Sequence, residues 1–140
     1  MSQYIPERLD GRAVNLAGRL AYSVAVAGSP AAAAETVIAT VAVPTNVQTF
    51  QAVELEAWAA FTVGTSGVTA EMRIRQTNVN GTVVADSGLA TVTAGNLYER
   101  SIIGADAAPG PGQVYVLTLQ VGSGAAASTV SAVYFRALSI

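Results

Sequence analysis

The sequence contains no histidine and no cysteine, and all seven of its basic residues are arginine, so lysine is missing as well. These absences remove thiol nucleophiles, imidazole acid–base relays, Schiff-base and P-loop lysines, disulfides, and every zinc site built on Cys or His. The many serines have no base of that kind to activate them. Aromatic residues make up only 6% of the chain, so a core must be filled by small side chains, chiefly Ala and Val. Charged residues are 11%, against roughly 25% in an average soluble domain. A surface this poor in charge is expected to be covered in the working state, by self-association or by docking onto a larger assembly.

A net charge of −2 argues against a nucleic-acid partner, which calls for a basic patch. Insertion into a membrane is not expected either. The most apolar stretch, Leu20 to Val43, is broken by Gly28, Pro30 and Glu35, and no run approaches the roughly 20 apolar residues of a spanning helix. Leu20–Ala27, preceded by Arg8, Arg12 and Arg19, has the outline of a secretory signal. Glu7 and Asp10 among those arginines, and the alternating pattern that follows, count against one.

What the chain does have is short-range alternation. Period-2 patterning recurs over Leu20–Ala27, Thr36–Val43, Ala52–Val63, Val68–Asn78, Thr82–Asp86, Leu89–Thr93, Leu97–Ile103, Gln113–Val121 and Ser128–Ile140. Glycine, proline and asparagine clusters punctuate these segments, as at Asn80-Gly81, Ala94-Gly95-Asn96 and Pro109-Gly110-Pro111-Gly112. Eight or nine short strands at this spacing, with no long helical period, predict an all-β sandwich or barrel in one domain over residues 20–140. Residues 1–19 read as an N-terminal arm, polar and interrupted at Gly11 and Gly18. Within it Tyr4 and Ile5 are an apolar pair in polar surroundings, and with Arg8 and Arg12 they are the candidate partner-binding residues of the arm.

The central segment invites a register. Asn80-Gly81 fits a two-residue type I′ turn, which sets Arg75 opposite Asp86 and Thr77 opposite Val84. If Gly64-Thr65 closes the preceding hairpin, Glu54 falls opposite Arg75 and Glu56 opposite Arg73, while Leu55 meets Ile74. Opposite charges then face each other, and apolar residues do likewise. The expectation is a structural charge ladder of Glu54, Glu56, Arg73, Arg75 and Asp86 across three adjacent strands, with Trp58 near Glu71.

Glu54, Glu56 and Glu71 are also the only grouping that resembles a glycosidase carboxylate pair, and Trp58 beside them has the chemistry to stack on a sugar. Matching by Arg73 and Arg75 reads them instead as a structural strand face, so no catalytic residue is assigned. Asp86 and Asp106 each stand alone in a loop, short of any calcium-loop pattern, and no metal or cofactor is expected. The glycine-rich segments precede strands, not the helix N-terminus that a phosphate cradle requires.

The segments Glu71-Met72-Arg73-Ile74-Arg75-Gln76, Asn80-Gly81-Thr82-Val83-Val84-Ala85 and Gln113–Gln120, with the closing strand to Ile140, carry a resemblance over about the last 90 residues. In style this small, Ala/Val/Thr/Gly-rich, cysteine-free chain resembles structural proteins of tailed-bacteriophage virions, such as capsid decoration (cement) proteins and tail-associated jelly-roll modules. The resemblance favours the sandwich over the barrel: it implies an all-β, antiparallel, jelly-roll-like sandwich, homo-oligomers (trimers favoured), other virion proteins as partners, a place in the virion, and no enzymatic activity. An N-terminal arm lying on a shell would suit it. A tail or fibre module, or a carbohydrate-binding sandwich with Trp58 and the Glu54/Glu56 face as its site, are the other readings.

Overall fold

In a computed structural model of the chain, residues 19–25, 34–43, 52–122 and 128–139 are described. The candidate arm residues Tyr4, Ile5, Arg8 and Arg12 lie outside them. The described residues form nine strands and no helix: β1 Arg19–Ala25, β2 Glu35–Ala42, β3 Val53–Val63, β4 Val68–Gln76, β5 Val83–Asp86, β6 Ala90–Val92, β7 Leu97–Asp106, β8 Val114–Val121 and β9 Ser128–Ser139. Each alternating segment of the sequence became a strand. The largest departure is β7, which runs three residues beyond Ile103. Its end is fixed by Asp106, whose carboxylate accepts hydrogen bonds from the Tyr115 hydroxyl at 2.7 Å and the Gln76 amide at 2.8 Å.

Among the described residues there are two antiparallel sheets, one in the order β1-β9-β3-β7 and the other β2-β8-β4-β5, with β6 also paired to β4. Strands β5 and β6 are two halves of one edge strand. They part at Ser87, whose backbone N–H donates to the Met72 carbonyl while its hydroxyl accepts from the Met72 N–H, both at 2.9 Å. Gly88 follows with φ +71°, a conformation that glycine adopts without strain. Counting the halves as one leaves eight strand positions. Every connection except β4 to β5 and β5 to β6 changes sheet, which is the strand order of a jelly roll.

This topology overturns the predicted ladder. Glu54 and Glu56 on β3 lie in the four-stranded sheet, whereas Arg73 and Arg75 on β4 lie in the five-stranded one. Trp58 and Glu71 are separated in the same way. After Val63 the chain crosses to the other sheet: Gly67 N–H donates to the Val92 carbonyl at 2.9 Å and Gly95 N–H to the Val63 carbonyl at 3.0 Å. The physical reason lies in the alternation. Leu55, Ala57, Ala59 and Phe61 on β3 and Ala70, Met72 and Ile74 on β4 are all core residues. Two strands with one apolar face each satisfy that pattern equally well side by side or face to face.

The hairpin at Asn80-Gly81 exists with a shifted register. Arg73 is opposite Asp86 and Ile74 opposite Ala85, then an irregularity sets Arg75 opposite Val83. The predicted Arg75–Asp86 pair is therefore absent. The loop is longer than two residues, closed by Gln76 N–H to the Thr82 carbonyl at 3.0 Å. Inside it the Asn78 side chain accepts from Asn80 N–H at 2.8 Å, and Gly81 N–H donates to the Asn78 carbonyl at 2.9 Å. Thr77, at φ +68°, gives its N–H to Val114 on the neighbouring strand. Gly81 is required for close approach, because a Cβ there would sit 1.6 Å from the Gln76 carbonyl oxygen.

The core lies between the sheets. Tyr115, Phe61 and Phe135 are its largest fully buried side chains, and Leu55, Met72, Ile74, Leu117 and Leu119 fill around them. Each such side chain contributes roughly 1.5–3 kcal/mol relative to exposure. The sheets close along one side where β7 meets β5. Gly104 permits that contact, since a Cβ there would lie 2.7 Å from the Ala85 Cβ.

Candidate functional site

The two outward faces of the sandwich carry the polar chemistry, and they differ. On the five-stranded sheet Glu35 opens β2 and draws in two arginines from β4. Arg75 donates from Nε to Glu35 Oε2 at 2.6 Å and from Nη2 to Oε1 at 3.0 Å, while Arg73 Nη1 donates to Oε1 at 2.8 Å. The Thr118 hydroxyl, fully buried on the intervening β8, adds a bond to Oε2 at 2.6 Å. Arg73 also reaches Gln120 and Glu71, and Arg75 reaches the Gly81 carbonyl. Burial pushes the Glu35 carboxyl up, but bonds from Arg75 and Thr118 and the charges of both arginines outweigh it and hold it below the usual range.

This cluster has the chemistry of a clasp. Both arginines are turned inward onto carboxylates, and Glu35 is the acceptor for four donors. It ties β2 across β8 to β4, so it organises three strands of one sheet.

Asp106 has a comparable structural role between the sheets. Its bonds to Tyr115 and Gln76 are joined by the Ala108 N–H at 3.1 Å. Burial raises its carboxyl, and these three donors more than reverse the effect, so it lies below its ordinary value. Burial and the Asp106 bond push the Tyr115 hydroxyl upward. Asp86 accepts from Gly88 N–H at 3.0 Å and closes the bend between β5 and β6. Among the described residues no three acidic side chains converge as a metal site would need.

The outer face of the four-stranded sheet carries the remaining sequence candidates. Trp58 on β3 is the direct cross-strand partner of Ser101 on β7 and Tyr134 on β9. In the next row Glu56 is flanked by Ile103 and Arg136. Arg136 donates from Nε to Glu56 Oε1 at 2.8 Å, with a second bond from Nη2 to the same oxygen. Its guanidinium also stands 5.9 Å from the centroid of the Tyr134 ring. Glu54 lies one row further on, opposite Leu138 and Ala105. A shallow depression of about 220 Å³ opens on this face, bordered by Glu56, Trp58, Ser101, Ile103 and Tyr134.

The sequence-predicted set is thus divided between two clusters. Arg73 and Arg75 belong to the Glu35 clasp, Glu54 and Glu56 to the Trp58 face, and Asp86 to a bend. Glu35, Thr118, Arg136 and Tyr134 were missed as members. A signal for two of them was present. Glu35 is the only charged residue between Arg19 and Glu54, and Arg136 the only one after Asp106. A lone charge in a long apolar tract needs a partner from elsewhere in the fold.

Among the described residues β7 stands last in its sheet, with its edge against β5 of the other sheet. Its outward side chains include Leu97 and Ile103, 57% and 64% exposed, and Leu89 near the neighbouring edge is 69% exposed. Arg100 is turned the other way, donating to the Ser87 carbonyl at 2.7 Å. An inward-turned charge is one device by which an edge strand resists indiscriminate pairing.

No protein-family model matches the sequence, and no curated protein matches it. Solved structures do match in fold. The structure of the Gx strain of infectious bursal disease virus superposes with a TM-score of 0.58 at 12% identity, and the VP2 subviral particle of the same virus with 0.56 at 9%. Each match covers 84% of this chain but only 32% of the other, so the chain spans about a third of the length of the proteins it resembles. At these identities the likeness establishes the fold: this chain is a β-sandwich with the architecture of a segment of a virus-particle protein.

Proposed function

We propose that the chain is a non-enzymatic structural protein of a virion, and within that class a capsid decoration protein of a tailed bacteriophage. It binds the assembled shell as a homo-oligomer, with a trimer favoured, and stabilises it by adding contacts between shell subunits. The observation that carries this reading is a charge-poor jelly-roll surface on which six charged side chains pair with one another. Glu35, Glu71, Arg73 and Arg75 satisfy each other on one face and Glu56 and Arg136 on the other. Apolar side chains at Val37, Val83, Leu89, Leu97 and Ile103 stand out from the rest of the surface. The proposed association would cover these side chains. The shared architecture with a virus-particle protein and the resemblance in sequence style support the same class.

A ligand that binds only the assembled shell stabilises it by RT ln(1 + [L]/Kd), and this is the mechanism proposed for the protein's effect. Co-sedimentation of the purified full chain with native particles stripped of it tests the reading. Saturable rebinding to shells, with a higher temperature of genome release, is expected. Rebinding confined to tails would move the protein to a tail module, and no rebinding to either would overturn the reading.

A further inference from the structure

The row Ser101–Trp58–Tyr134 crosses three strands of the four-stranded sheet and places two aromatic side chains directly opposite each other. Directly opposed positions hold their Cβ atoms within roughly 5 Å, and both aromatic side chains line one depression, an apolar platform. Both side chains are half-buried, and the Arg136 guanidinium stands over the Tyr134 ring. The adjoining row sets Glu56 and Arg136 along one border of the platform, with exposed Ile103 at the corner. The depression lined by Glu56, Trp58, Ser101, Ile103 and Tyr134 has a volume of about 220 Å³, and Arg136 adjoins it through its bonds to Glu56. Pockets for drug-sized ligands start near ~300 Å³, so this one suits a single ring-sized group.

Charge narrows the class of ligand. A cation would favour the aromatic faces, but the Arg136 guanidinium already lies over Tyr134 and repels a second positive charge. An anion meets the Glu56 carboxylate. Because Glu56 and Arg136 pair, the border is close to neutral overall while still offering a strong acceptor and several donors. Ser101 adds a hydroxyl that donates or accepts. An apolar platform bordered by both kinds of hydrogen-bonding group is complementary to a neutral molecule with one apolar face and a hydroxylated rim.

A pyranose sugar has that form. We propose that Trp58 and Tyr134, bordered by Glu56, Arg136 and Ser101, form a binding site for a neutral hexopyranose unit of a glycan. The C–H face of the ring lies on the Trp58 indole, and its hydroxyls exchange hydrogen bonds with the Glu56–Arg136 pair and Ser101. This site does not rest on the shell-binding reading, since it requires no partner protein, although Ile103 and the Glu56–Arg136 pair belong to the surface on which that reading draws.

Trp58 is the only tryptophan in the chain, so its fluorescence reports the site directly. The full chain is applied to an array of neutral glycans and titrated with lactose, maltose, cellobiose and mannobiose while Trp58 emission is followed. Binding to at least one hexopyranose-terminated glycan, with a saturable change in emission, is expected. Tyr134→Ala keeps the reporter and should weaken binding by roughly tenfold, about the loss of 1.4 kcal/mol. Glu56→Gln, which preserves side-chain shape, should weaken it as well, and serves if Tyr134→Ala does not fold. Absence of binding across the array and all four sugars overturns the proposal. So does binding that is undiminished in folded Tyr134→Ala and Glu56→Gln, or an emission change that shell protein produces and no sugar does.

Discussion

Arg75 and Glu35 are 40 positions apart in the sequence and form a two-point ion pair, Nε to Oε2 at 2.6 Å and Nη2 to Oε1 at 3.0 Å. Parallel bonds from a guanidinium to a carboxylate are among the strongest side-chain contacts available to a protein. This one spans β8 and leans on the buried Thr118 hydroxyl, so its loss would disturb three strands at once.

Glu35→Gln should lower stability at neutral pH by about 2 kcal/mol, read from urea unfolding. The same change should flatten the acid limb of the stability profile. The folded carboxyl titrates below its ordinary value of 4.5, so beneath that pH the unfolded chain takes up a proton that the folded chain refuses. Stability supplied by Glu35 is therefore full above pH 4.5 and is lost as pH falls through the folded value. An acid-unfolding midpoint equal in wild type and Glu35→Gln would contradict the assignment.

Arg136→Ala should cost far less than Glu35→Gln. The Glu56–Arg136 pair is 31% exposed on both sides, against 11% for Glu35, and solvent screens it. Only a small loss is expected, well short of that of Glu35→Gln. Comparable losses from the two variants would mean that exposure does not rank the clusters.

Gly81→Ala and Gly104→Ala should differ in severity. At Gly81 the new Cβ meets a backbone carbonyl that cannot move without opening the loop, and about 3 kcal/mol is expected. At Gly104 it meets the Ala85 methyl, which moves only with the backbone of a four-residue edge strand, at a cost of roughly 1–3 kcal/mol. Chemical denaturation of both variants checks the order.

Removal of residues 1–19 tests the arm containing Tyr4, Ile5, Arg8 and Arg12. The truncated chain should keep a β-type circular dichroism spectrum and a cooperative melt, while its binding to shells falls by roughly tenfold or more. Undiminished shell binding would remove the arm from the account.

The strands were legible in the sequence because alternation is a local property, and so was the all-β class, with sandwich and barrel both open until the resemblance favoured the sandwich. Which strands lie side by side was not. The sign matching of Glu54 with Arg75 looked specific, yet β3 and β4 face each other across the core, and Leu55 and Ile74 satisfy the pattern in either arrangement. The turn at Asn80-Gly81 was recognised by its glycine but misread in length. Asn78 and Thr77 form bonds of their own there, to Asn80 and to Val114. The clusters that did form needed Glu35 and Arg136, whose isolation in apolar tracts marked them as partners without saying whose.

The central claim is that this jelly roll works on the outside of an assembled virion shell. Immunogold electron microscopy of intact native particles, with antibody raised against the full chain, tests it most directly. The account predicts dense label distributed over the whole shell, at a copy number that scales with the shell lattice. Label confined to the tail, or particles that carry none, would contradict it.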